Sequence, residues 1–513
     1  MGKKPRIEEI HPLRRRRFMQ TVGAALGVPM FAGGVGAGFR FAMHEELFGT
    51  AHAYTQADLV PTYFIEINLR DQWDFGHVFV PPGLATETNL IRGAEGNQCS
   101  LFYGAENITA AGNNFYLTPD SMELMPHLDS IAVCESNELC IGAIHGHEAV
   151  NAMRSPGRSK QQSGSKMPVW EQEPGFGEQG NDYFYSSTPT PACLHNYVQK
   201  QLDPSLRNGI TMKFISRFHT ACHFAGTKPE GELTRIQSVQ ELFDTFPDTV
   251  EDLNILPTPQ EADILSETLR RVDAGFFQRN AFQPAAHERH HANLGEAAGL
   301  WHTGDTQVVS MPLTEEEIAY WSAGVPDQVG DNLKANIWEQ AAWAFKLISN
   351  DVTRSVSLEF DYLDVHGSRS ESVMNTMGLQ AALPLARLIE SLKAAGIYEQ
   401  TLIVLYSTDG GRAPNGNSYG NSGKNTFVMA GRNVRGGYYG DVSVAGNSGD
   451  GHTYGYHVPN DDGSLMAPVT DNSNRLDGSR SWRTVMKALE MPDDLCDEFE
   501  DVAGVSPLNF MLT

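Results

Sequence analysis

The sequence predicts an α/β protein built on a parallel sheet, and three stretches of its last third carry that prediction. Ser355–Phe360 (SVSLEF) has the β-branched and aromatic content of a strand. A helical pattern follows, with Met377, Leu385, Leu388, Ile389 and Leu392 on one side and a stop at Gly396. Thr401–Tyr406 (TLIVLY) is then a near-continuous apolar strand, as expected where helices cover both faces of a sheet. Strand, helix and strand in this order make a parallel crossover. The functional groups of such a unit gather where the carboxyl ends of the strands open into loops.

The elements before this unit read in order from the N-terminus. Arg14-Arg15-Arg16-Arg17-Phe18-Met19 fits the twin-arginine export pattern, and a Gly/Ala-rich, weakly apolar stretch runs from Val22 to Phe39. Ala51-His52-Ala53 is a small-x-small cleavage site, which makes 1–53 a leader and starts the mature chain at Tyr54. The alternative is an uncleaved anchor, against which Pro29, Arg40 and the glycines speak. No later segment is long and apolar enough to cross a membrane.

The whole chain has a net charge of −25, and the leader holds eight Lys/Arg against four Asp/Glu, so the remainder is near −29. Charge of that sign repels phosphate backbones and anionic lipid, which excludes nucleic acid as the expected partner. The six cysteines all follow the leader, and an oxidising compartment permits up to three disulfides. Cys134 and Cys140 are close enough in sequence to close a small loop.

Thr62–Leu69 (TYFIEINL) reads as the first strand, ending in Arg70-Asp71-Gln72-Trp73-Asp74. Ser130–Val133 and Leu139–Ile144 read as short strands around Cys134. Residues 154–182 turn to Ser, Gly, Pro and Gln and mark a long loop. The middle, about 236–350, is mostly helical, with Ile337, Ala341, Phe345 and Ile348 at helical spacing.

Two polar loops follow two strands expected to be neighbours. Asp364 and His366 come after Ser355–Phe360, while Asp409 and Arg412 come after Thr401–Tyr406. A carboxylate, an imidazole and a second carboxylate at one sheet edge can hold Zn²⁺, Mn²⁺ or Ca²⁺, and Asp71 or Asp74 can add an oxygen. Arg412 can clamp an anionic group. The structural alternative is that Asp364 caps the following helix, Asp409 turns with Gly410, and His366 is simply buried. His145-Gly146-His147-Glu148, the pair His219 and His223, and the trio His287, His290 and His291 admit a ligand role or a packed one. No Walker or dinucleotide motif is present.

These motifs resemble one bacterial family. Asp-x-His-Gly at 364–367, the run from Thr401 to Pro414, then Gly423-Lys424-Asn425-Thr426 and Val434-Arg435-Gly436-Gly437-Tyr438-Tyr439-Gly440-Asp441 are similar to the exported family called domain of unknown function 1501. That family belongs to the alkaline phosphatase and sulfatase clan. Met125-Pro126-His127-Leu128-Asp129-Ser130-Ile131-Ala132 resembles the segment leading into the clan's nucleophile strand.

The resemblance implies a three-layer α/β sandwich with a mostly parallel central sheet, one domain over 54–513, and a helical insertion at about 160–350. It implies an exported hydrolase of phosphate or sulfate esters acting on a small anionic ester or polysaccharide, in the periplasm or beyond, after passage through the Tat translocon. Asp364, His366 and Asp409 become metal ligands, joined by Asp71 or Asp74. Ser155 becomes the nucleophile, with Arg158 holding the ester oxygens. The chain departs from the family at Gly410 and Thr426, where histidines are expected, unless His452 or His457 replaces the second. That departure keeps open a non-catalytic binding or assembly protein on the same fold.

Overall fold

The computed structural model describes residues 60–69, 75–86, 103–138, 160–162, 183–185, 191–203, 206, 208–212, 233–236, 312–326, 336–360, 371–407, 425–448, 451–468, 476–498 and 502–513. All of them belong to one compact unit, Tyr54–Leu242 with Pro312–Thr513. Among them, nine strands form one sheet. In chain order these are β1 Tyr63–Leu69, β2 Ile131–Glu138, β3 Gly209–Met212, β4 Leu233–Ile236, β5 Ser355–Phe360, β6 Thr401–Ser407, β7 Asn425–Gly431, β8 Gly437–Tyr439 and β9 Leu476–Asp477. Their spatial order is β8-β2-β7-β6-β1-β5-β3-β4, with β9 also pairing β2.

Every pairing is parallel except those of β7, which runs antiparallel to both β6 and β2. The sheet is therefore mostly parallel, as the crossover unit predicts. The strands around its centre are apolar on both faces because both faces are covered. Phe64, Ile65 and Ile67 of β1 and Leu402 to Leu405 of β6 are at most 1% exposed.

The helices that cover the sheet are α1 Pro191–Leu202, α2 Glu315–Ser322, α3 Ile337–Ser349, α4 Glu371–Ala394 and α5 Gly478–Ala488. On one face Leu194 and Val198 of α1 and Trp482 and Val485 of α5 pack with Phe64, Val404, Tyr406 and Phe427. Trp482 meets Tyr406 and Phe427 edge-on, with ring centroids 5.0 and 5.9 Å away. Helix α3 packs on β5 and against α4. Ile337, Ala341 and Ile348 of α3 and Leu385, Leu388, Ile389 and Leu392 of α4 are buried, the stripe that the sequence spacing predicts. The described residues thus form a three-layer α/β arrangement.

Three expectations are corrected. The strands carrying the two polar loops, β5 and β6, are not neighbours, because β1 lies between them and pairs with both. The insertion at about 160–350, expected to be helical, also contributes β3 and β4 to the sheet, and Lys160–Gln162, within the stretch 154–182 read as loop, pairs with Tyr183–Tyr185 just beyond it. Cys134 closes no loop with Cys140. Its thiol is free and faces the apolar cluster with Ala132, Phe427 and Leu476, and Cys193 and Cys496 are likewise free and buried. Burial pushes the Cys496 thiol up to about 12 and that of Cys134 up as well, so both remain protonated thiols. The proposed strand Leu139–Ile144 and the leader 1–53 lie outside the described residues. No helix among the described residues is long and apolar enough to cross a membrane.

Candidate active site

Parallel strands end together, and here the level is explicit. Leu69, the last residue of β1, is in register with Ser407, the last of β6, and with Phe360, the last of β5. Strand β2 is antiparallel to β7 and β7 to β6, so β2 runs the same way as β6 and ends at the same edge. Beneath that edge Glu66 ties the three central strands together. It is fully buried on β1 and accepts hydrogen bonds from Ser357 Oγ of β5 at 2.6 Å and Tyr406 OH of β6 at 2.8 Å.

The residues that the sequence nominates follow these strand ends. Asp71, Asp74, Asp364, His366, Asp409 and Arg412 lie outside the described residues, as do Ser155 and Arg158. So do His145, His147, Glu148, His219, His223, His287, His290 and His291. The strand register brings the ends of β1, β5 and β6, from which the loops of the first six depart, to one level, with β1 between the other two. Among the described residues, no three His, Cys, Asp or Glu gather closely enough to hold a metal ion.

On β2 and its neighbours the edge carries a polar group that sequence reasoning missed. Asn425 pairs with Asn137 and Phe427 with Cys134, so Thr426 alone stands opposite Glu135 and Ser136 in a β-bulge. Glu135 is 7% exposed. It accepts from Tyr438 OH at 2.5 Å and from Thr426 Oγ1 at 3.2 and 3.1 Å. Burial and the Glu135 carboxylate raise the Tyr438 phenol, which therefore remains a donor. Gly440 follows with φ +85°, and a Cβ there would stand 2.9 Å from that of Glu135. Asp441 comes next; its carboxylate accepts from the backbone N–H of Gly83 at 2.7 Å, and burial raises its pKa. The available signal was an acid, Glu135, directly after the apolar run Ile131–Cys134 of the strand IAVCESNE.

His457 is held by hydrogen bonds on both sides of its ring. Its Nδ1 lies 3.1 Å from the carbonyl oxygen of Met466, which only accepts, so Nδ1 carries the proton. Nε2, 2.9 Å from Ser443 Oγ, then accepts from that hydroxyl. Both ring nitrogens are engaged. The side chain of His452 lies outside the described residues.

A second Ser–His pair sits at the opposite edge. Ser355 Oγ, at the start of β5, is 2.5 Å from His195 Nδ1, and Thr62 Oγ1 is 2.8 Å from Nε2. All three residues have zero exposure, so the pair joins α1 to β1 and β5 rather than meeting a substrate.

No family model matches the chain, and neither does any curated protein. Among solved structures it is similar to PsFucS1 sulfatase from Pseudoalteromonas sp. at 12% identity, covering 98% of this chain and 76% of that one, with a TM-score of 0.34. It is similar to the lipoteichoic acid synthase LtaP from Listeria monocytogenes at 9% identity, covering 90% and 78%, with a TM-score of 0.33. A protein in the alkaline phosphatase superfamily from Vibrio parahaemolyticus is 9% identical over 93% of this chain and 94% of that one, with a TM-score of 0.32. Likeness at this level assigns no residue and no activity to this chain.

Proposed function

We propose that the chain is an exported, metal-dependent hydrolase of phosphate or sulfate esters. What carries this reading is the common level of the ends of β1, β5 and β6, where Leu69 is in register with both Phe360 and Ser407. Within six residues of those ends the sequence supplies Asp71 and Asp74, Asp364 and His366, and Asp409 and Arg412. Ligand sites of open parallel sheets form at such edges.

The donor set fits a divalent cation, since carboxylate oxygens and an imidazole suit zinc or manganese, and the carboxylates alone suit calcium. Asp364, His366 and Asp409 would hold it, with Asp71 or Asp74. When bound, it polarises the ester and offsets charge on the departing oxygen. Arg412 and Arg158 hold the anionic oxygens, as planar guanidinium groups do best. Ser155 supplies the attacking hydroxyl. The leader directs the folded protein through the Tat translocon, and the substrate is a small anionic ester or an anionic polysaccharide outside the cytoplasm.

A second reading, a non-catalytic periplasmic or surface binding or assembly protein, is favoured by Gly410 and Thr426, which stand where the resemblance leads one to expect histidines. Metal content separates the two. In mature protein purified from the periplasm without chelators, elemental mass spectrometry should find about one or two equivalents of a divalent metal. Asp364→Ala and Asp409→Ala should lose it, together with hydrolysis of aryl phosphates or sulfates. Folded protein with no metal, and none taken up from added Zn²⁺, Mn²⁺ or Ca²⁺, selects the second reading.

A further inference from the structure

The hairpin that begins at Asp441 carries a serine and a histidine that the proposed function leaves unused. Its strands, Asp441–Ser448 and Gly451–His457, run antiparallel, with Asp441 opposite His457 and Ser443 opposite Gly455. Alternate residues of a strand share a face, as do directly paired ones, so Asp441, Ser443 and His457 stand on one side. On the other side Val442 and Tyr456 pack with Val80 and Leu84. Ser443 Oγ donates to His457 Nε2 at 2.9 Å, and Nδ1 donates to the Met466 carbonyl at 3.1 Å. The Met466 N–H is itself fixed on the Val458 carbonyl at 2.9 Å. Gly455 lets this segment come close, since a Cβ there would stand 2.9 Å from that of Pro468 and 3.4 Å from Ser443 Oγ.

A hydroxyl that donates to an imidazole, whose other nitrogen is anchored by a third group, is the arrangement of an activated serine. The Ser355–His195 pair is closed to substrate by its zero exposure, whereas Ser443 and His457 are both partly exposed. Asp441 lies within electrostatic reach of His457 and can offset the charge of the imidazolium formed during proton transfer. The same carboxylate selects the substrate. A phosphate or sulfate monoester meets like charge there, and an uncharged carboxylic ester does not. We propose that Ser443 is the nucleophile, and His457 the general base, of a separate site that hydrolyses uncharged carboxylic esters. Oγ attacks the carbonyl carbon while its proton passes to Nε2. The carbon–oxygen bond to the alcohol then breaks, and the alcohol leaves with that proton. Water, deprotonated at Nε2, releases the carboxylic acid and restores the serine. This chemistry uses none of the residues named for phosphate or sulfate esters and does not depend on that reading.

The probe is an uncharged alkyl fluorophosphonate, from whose phosphorus an activated serine displaces fluoride. It is applied to the full mature chain, folded and in urea, and the adduct is located by peptide mass spectrometry. Hydrolysis of p-nitrophenyl acetate is followed in parallel. The folded protein should take up about one equivalent on Ser443 and lose its acetate hydrolysis as it does so, while the urea-unfolded chain should stay unlabelled there. Ser443→Ala should abolish both signals, and His457→Gln should slow both about 100-fold, with melting temperatures recorded for each variant. No label on Ser443 in the folded parent overturns the assignment, as does labelling at the parent's rate in folded His457→Gln. Should either variant fail to fold, the parent alone decides, because equal labelling of Ser443 in folded and unfolded chains shows that the fold does not activate it.

Discussion

His195 is fully buried between Ser355 and Thr62, and Gln199 extends the chain of contacts by donating Nε2 to Thr62 Oγ1 at 3.0 Å. Burial, with the nearby Arg354 guanidinium as a smaller cause, pushes the imidazole down from its ordinary 6.5 to about 3. The unfolded chain takes up this proton near pH 6.5 and the folded chain only near 3. The stabilisation is therefore fully present above pH 6.5 and is lost as pH falls through that window. One proton bound only by the unfolded state corresponds to a slope of at most about 1.4 kcal/mol per pH unit. Stability measured from pH 7 to 4 should fall with this component, and His195→Gln should lack it. Imidazole NMR signals of His195 that titrate near pH 6 would overturn the assignment. His195 carries no legible mark in the sequence. Its role depends on Thr62 and Ser355, which are 133 and 160 residues away.

Helix α4 ends as its sequence predicts, and the geometry gives the reason. The N–H of Gly396 reaches the carbonyl of Lys393 and that of Ile397 the carbonyl of Leu392, both at 3.0 Å, with φ of Gly396 at +72°. This is a Schellman stop, which needs a left-handed residue. A Cβ on Gly396 meets nothing within 4 Å, so Gly396→Ala isolates the backbone effect. It should lower stability by about 1–2 kcal/mol in urea unfolding without altering the helix content seen by circular dichroism.

At this scale the sequence is informative where a pattern is long and local. The α3 stripe, α4 with its glycine stop, and the apolar β1 and β6 are all visible in it. Strands β3 and β4 span four residues each, too few to show a period, and β7 gives no sign that it reverses direction. The candidate ligands were legible as acids and a histidine after strands, but not the place of β1 between those strands, because pairing partners leave no local trace.

Across the whole molecule, the first strand of the sheet pairs with strands from the last third of the chain. Phe64 lies beside Leu402 and Ser355, and Glu66 reaches across to Ser357 and Tyr406, with sequence separations of 291 and 340 residues. Contacts of such range delay folding, because the chain entropy is lost before they form. Chains ending at residue 400 should therefore lack a protease-resistant core even though they contain β1 to β5, whereas the complete chain should possess one. A resistant fragment starting near Tyr63 in the shorter chain would show that the other strands close the sheet without β6.

The same placement of β1 sets a clock on synthesis. A ribosome adding about 5–20 residues per second needs roughly 17–70 s to travel from Tyr63 to Thr401. Throughout that interval β1 has neither β6 nor a docked sheet centre beside it. An apolar strand with open edges is a template for pairing with other chains. The nascent protein thus spends most of its synthesis with this apolar strand already made and one of its two sheet neighbours, β6, still untranslated.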